Sequence, residues 1–141
     1  MEGNALIVHG GAPTAVINAS LYGAVREAGR HPQIGCVYGA LGGSGAVIAE
    51  KFLDLKTVPG EELELLLSTP SSAIGTSRDH LEPEDYRAIA RVIGGHNIKY
   101  VFFNGGNGSM DACGRCTRRA RLKGWTCGRW ASQRPWTTTS R

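Results

Sequence analysis

The chain predicts an α/β protein built on a parallel sheet, and three observations carry the prediction. Apolar runs of strand length alternate with stretches whose apolar residues recur at helical spacing. Twice a strand-like run enters a glycine-rich loop that opens a helix. No apolar stretch is long enough to cross a membrane, so the apolar residues are available for a buried core.

Taken in order, Ala5-Leu6-Ile7-Val8 reads as a buried strand leading into His9-Gly10-Gly11-Ala12-Pro13-Thr14. Thr14 is expected to cap a helix with Val16, Ile17, Leu21 and Val25 on its apolar face. Ile34-Gly35-Cys36-Val37-Tyr38 predicts a second strand that enters the glycine-rich stretch 39–45. Val58-Pro59-Gly60 turns into a short helical run from Glu61 to Leu67, and Ser71 to Arg78 reads as a polar loop. Glu82-Pro83-Glu84 opens a helix with Tyr86, Ile89, Ala90 and Ile93 on one face, stopped by Gly94-Gly95. Lys99-Tyr100-Val101-Phe102-Phe103 is the strongest strand signal. It runs into Asn104-Gly105-Gly106-Asn107-Gly108-Ser109, and Ser109 is expected to cap a helix begun by Met110 and Asp111.

After Gly114 the chain changes character. Residues 1–114 carry 8 Lys/Arg and 12 Asp/Glu; residues 115–141 carry 8 Lys/Arg and no acid. All three tryptophans, Trp125, Trp130 and Trp136, stand in this tail, which has no Val, Ile or Phe. The expected division is therefore 1–114 as folding sequence and 115–141 as a tail that is not a domain. Without a basic leader before the first apolar run, Cys36, Cys113, Cys116 and Cys127 read as reduced thiols of a cytoplasmic protein. Cys113 and Cys116 form a C-x-x-C, but no second Cys or His pair stands at zinc-ligand spacing, so the motif is read as coincidence.

Glycine loops at helix N-termini let backbone N–H groups close on an anion, which the helix dipole also favours. Neither loop is G-x-x-x-x-G-K-[ST] or a full G-x-G-x-x-G. Either alone could simply be a tight turn. Two such loops, joined by the polar run Gly75-Thr76-Ser77-Arg78 with its guanidinium fork, point to phosphate.

Three segments taken together resemble the 6-phosphofructokinases: residues 9–19 from His9 to Ala19, Ile74-Gly75-Thr76-Ser77-Arg78, and residues 104–111 from Asn104 to Asp111. They fall in family order and span residues 4–114. The resemblance implies a Rossmann-like parallel sheet, the N-terminal part of a phosphofructokinase domain, here incomplete. It implies phosphoryl transfer from ATP or pyrophosphate, with Mg²⁺, to the 1-hydroxyl of fructose 6-phosphate, and a homo-oligomeric parent. By the same resemblance Gly11, Arg78, Gly106, Gly108 and Ser109 bind the donor's phosphates, and Asn107 takes the position of a metal-holding Asp. An amide there keeps a carbonyl oxygen ligand but loses the charge.

The family's next motif, Pro-Lys-Thr-x-Asp-Asn-Asp or its Pro-Gly-Thr form, supplies the base that acts on the sugar hydroxyl, and the tail lacks it. Reading the tail's codons one frame over recovers it. Trp130-Ala131 then dictates Gly and Trp136-Thr137 dictates Asp, while the codons between and after them permit Ile-Pro-Lys-Thr-(Val/Leu/Met) and Asn-Asp-Ile. The expectation is a frameshift near Arg115, an out-of-frame tail, no catalytic residue in this chain, and a sheet edge left open to aggregation. Two alternatives stand beside it. One is a phosphate- or nucleotide-binding module. The other is a small nucleic-acid-binding protein using Arg118, Arg119, Arg121 and Lys123 with Trp125 and Trp130. Such an Arg/Trp-rich tail is also what out-of-frame GC-rich sequence spells, so nucleic acid is disfavoured.

Overall fold

A computed structural model of the chain describes residues 2–11, 16–77, 79–122 and 131–132, with only the backbone described at 107, 110, 117, 120–122 and 131–132. The sheet contains β1 (Gly3–His9), β2 (Ile34–Ala40), β3 (Phe52–Asp54), β4 (Ile98–Asn104) and β5 (Ala131–Ser132), in the spatial order β3-β2-β1-β4-β5. β1 pairs in parallel with both β2 and β4, and β5 lies parallel to β4; β3 alone runs antiparallel, along β2. The expected mostly parallel α/β sheet is what forms.

The central strand is buried on both faces, which its continuous apolar run requires. Leu6 and Val8 face one layer, with Ile89, Ile93, Val101 and Phe103, while Ala5 and Ile7 face the other, with Leu21, Val25 and Val37. The first layer holds α2 (Ser44–Ile48), α4 (Pro83–Gly95) and α5 (Asn107–Leu122); the second holds α1 (Ile17–Gly29) and α3 (Gly60–Glu64). In α1 the buried positions Ile17, Asn18, Leu21, Val25 and Ala28 recur at helical spacing. Val16 was expected on that face, but it precedes the helix and is 42% exposed. The expected cap, Thr14, lies outside the described residues. α4 buries Tyr86, Ile89, Ala90 and Ile93, the face predicted, and its first turn is closed by the Glu82 N–H donating to Asp85 Oδ2 at 2.8 Å.

Four differences from expectation concern loops, helix ends and edges. The Glu61–Leu67 run is a single α-turn, α3, followed by a 3-10 turn at Leu65–Leu67. β3 and α2 were not anticipated. Further, α5 begins at Asn107, so Ser109 sits inside its first turn instead of capping it. α5 runs past Gly114 to Leu122 and buries Cys113 and Cys116 in the core. The outer edge of β4, expected to be bare, carries β5 opposite Phe103 and Asn104.

Candidate functional site

Strand order reverses at β1: the chain leaves it through α1 for β2 on one side and returns as β4 on the other. In open parallel sheets such a switch point leaves a crevice at the strands' C-terminal ends. Here that end is formed by His9 and Asn104, which are register partners. Their following residues are the two glycine loops. The Gly10 N–H donates to Asn104 O at 3.0 Å and the Gly11 N–H to Ser77 O at 3.1 Å, so the 71–77 loop closes over the same strand ends. Ser77 Oγ also accepts the Ser44 N–H at 3.2 Å, which ties the start of α2 to this loop.

Close approach explains the glycines. A Cβ on Gly10 would stand 2.3 Å from Ser109 Oγ. One on Gly105 would stand 2.3 Å from the same oxygen and 2.4 Å from the Gly10 carbonyl. The two loops therefore touch through backbone, with Ser109 wedged between them.

These contacts enclose a cleft of about 400 Å³. Gly11, Gly106, Gly108 and Ser109 all line it, so four of the residues singled out in the sequence come together. Arg78 lies outside the described residues, although its neighbours Ser77 and Asp79 line the cleft. Asn107 opens α5, but its side chain is outside the described residues. The first-turn N–H groups of α5 have no intrahelical acceptor and carry the positive end of a 16-residue helix. Such a terminus suits an anion.

The cleft also holds charged and aromatic side chains to which the sequence analysis gave no role. Asp79 Oδ2 accepts the Gly45 N–H at 3.0 Å, and Asp111 Oδ2 accepts from Arg115 Nε at 3.0 Å. Arg115 lies over the Tyr86 ring, 5.9 Å from its centroid. Burial raises the Tyr86 hydroxyl above the ordinary phenol range. Among the described residues no group of three or more His, Cys, Asp or Glu side chains comes together as a metal cage. Two carboxylates beside an anion-accepting helix end fit a Mg²⁺ that is held largely by its own phosphates, not one held by protein alone.

Behind the cleft lie three buried polar side chains, His9, Asn18 and Asn104. Their partners are 63 to 87 residues away in sequence for His9–Ser72 and Asn104–Ile17, which no local pattern could signal.

The fold and its crevice define an α/β protein with a cleft at the switch point of a mostly parallel sheet. The phosphofructokinase family model matches residues 4–127, and the chain belongs to that family. A pyrophosphate–fructose 6-phosphate 1-phosphotransferase of Rhodospirillum rubrum is 40% identical over 110 residues, which is 78% of this chain and 27% of that protein. The enzyme of the same name from Halomonas elongata is 32% identical over 128 residues, 86% of this chain and 30% of the relative. The crystal structure of a pyrophosphate-dependent phosphofructokinase from Marinobacter aquaeolei superposes with a TM-score of 0.84 at 32% identity, covering 92% of this chain and 32% of that one. The chain thus spans about three tenths of the length of the relatives it matches. Among the described residues no helix is long and apolar enough to cross a membrane.

Proposed function

We propose that this chain is the donor-phosphate portion of a pyrophosphate-dependent 6-phosphofructokinase and that it does not turn over substrate by itself. The observation that carries the proposal is the convergence of both glycine loops and the α5 N-terminus on one cleft. In this reading Gly11 lies against the donor's phosphates, Gly106, Gly108 and Ser109 offer N–H and hydroxyl donors, and Arg78 adds a guanidinium. Mg²⁺, when bound with the donor, neutralises phosphate charge; the Asn107 amide oxygen and the carboxylates of Asp79 and Asp111 are the groups that would hold or orient it. Fructose 6-phosphate and the base that deprotonates its 1-hydroxyl belong to sequence that the tail lacks. We assign the tail from about Cys116 onward to out-of-frame translation, because its shifted codons permit the missing motif.

Pyrophosphate is favoured as donor by the names of the relatives at 32–40% identity. One observation favours ATP instead. A Cβ on Gly108 would meet nothing within 4 Å, which leaves room beside the second phosphate for a nucleotide's α-phosphate.

The test is a titration of Mg-pyrophosphate into the chain, followed through backbone amide resonances. Shifts centred on Gly11, Gly106, Gly108 and Ser109 are expected. Saturating pyrophosphate that leaves those amides unmoved contradicts the reading.

A further inference from the structure

We infer that His9 is a positioning residue: its buried imidazole latches the loop that precedes Arg78 to β1 and β4, and through Asn104 to the start of α1, and so sets where that loop stands at the cleft. The inference rests on the donor-site reading for the loop's purpose, though not for the latch itself.

His9 is fully buried at the end of the central strand. A ring placed there is costly unless both nitrogens find partners. Nδ1 lies 2.6 Å from Ser72 Oγ, and Nε2 lies 3.5 Å from Asn104 Nδ2. That amide nitrogen also donates to the Ile17 carbonyl at 3.0 Å. An amide N–H can only donate, so Nε2 is the bare acceptor and Nδ1 carries the proton that it gives to Ser72. The imidazole thereby joins β1, β4 and the 71–77 loop, and Asn104 carries the link on to the first residue of α1.

Asn18, one residue further along α1, holds the same loop as well. Its Nδ2 donates to Thr69 O at 2.9 Å, and its Oδ1 accepts the Ala73 N–H at 2.8 Å. The loop is therefore clamped at 69, 72 and 73, and again at Ser77 through the Gly11 N–H. Only three residues lie between the last two clamps, so the carrier of Arg78 has little slack. An apolar side chain would fill the His9 position without any of these links. Ile74, buried in the core, anchors the loop independently, so loss of the latch should loosen the loop without unfolding it.

The experiment uses the full chain without ligand. The ¹⁵N spectrum of His9 should show a neutral ring protonated at Nδ1. Ser72→Ala, which removes the loop's acceptor and leaves the core intact, should speed exchange of the Gly11 and Ala73 amides at least about fivefold, the worth of one ordinary hydrogen bond. The α4 amides of Ile89 and Ala90 should be unchanged. His9→Asn, which keeps a donor near the place of Nδ1, should protect those loop amides better than His9→Leu; if either fails to fold, Ser72→Ala decides. The opposite tautomer, a charged ring, unchanged Gly11 and Ala73 exchange in Ser72→Ala, or equal acceleration in α4 would each overturn the inference. Mg-pyrophosphate is added last. If it alters no amide while the latch results hold, the donor reading fails and the latch stands.

Discussion

The hydroxyl of Ser109 occupies the space that a methyl group on Gly10 would need: a Cβ on Gly10 would stand 2.3 Å from Ser109 Oγ. The same hydroxyl blocks Gly105, but there the Gly10 carbonyl, at 2.4 Å, blocks as well. The difference matters because a serine hydroxyl can rotate away, whereas the Gly10 carbonyl is backbone held in place by the Gly10 and Gly11 N–H bonds on either side of it.

Gly10→Ala is accordingly expected to cost little, under about 1.5 kcal/mol, and Gly105→Ala about 2–3 kcal/mol, in the range of overpacked sites. Adding Ser109→Gly should rescue Gly10→Ala and leave Gly105→Ala mostly unrescued. Urea unfolding of the two single and two double variants measures this. Equal costs, or equal rescue, would show that the loops do not meet as described.

A second prediction concerns pH. Burial lowers the His9 pKa from 6.5 to about 4. Above pH 6.5 the ring is neutral in both folded and unfolded chains, and it contributes no pH dependence. As pH falls from 6.5 towards 4 the unfolded chain takes up a proton that the folded chain refuses, so stability is lost, by about 3 kcal/mol in full. His9→Asn, which does not titrate, should lack this component. Unfolding midpoints of both chains between pH 7 and pH 4 give the difference. Parallel profiles would mean that the ring is not held neutral.

Gly108 yields a third prediction. Its open surroundings mean that a side chain there is sterically free, and removing a helical glycine should stabilise by up to about 1 kcal/mol in Gly108→Ala. In a frame-restored enzyme, Gly108→Asp should sharply reduce any use of ATP and leave pyrophosphate use largely intact, since the carboxylate would crowd and repel the nucleotide's α-phosphate. Initial rates with each donor check this. Equal losses would mean that the residue only shapes the turn.

What the sequence made legible was local. The face of α4 could be read residue by residue because Pro83, the Glu82–Asp85 turn and a clean helical period all agree. The glycine loops were legible for the same reason: each follows an apolar strand directly. β3 escaped because three residues on an antiparallel edge carry too little alternation, and its partners Tyr38 to Ala40 lie in a glycine-rich run. The start of α5 was misplaced at Ser109 because serine is a common cap, whereas here the helix already begins at Asn107 and Ser109 stands beside Gly10 and Gly105. Asp79 and Arg115 reach the cleft only through tertiary folding, as do the links of His9, Asn18 and Asn104 to distant segments.

Release of fructose 1,6-bisphosphate from fructose 6-phosphate and Mg-pyrophosphate tests the central claim most directly, measured side by side on the 141-residue chain and on a protein whose reading frame is restored near Arg115 and continued downstream. No product is expected from the chain, and ordinary turnover from the restored protein. Turnover by the chain itself, or a restored protein without activity, would contradict that claim.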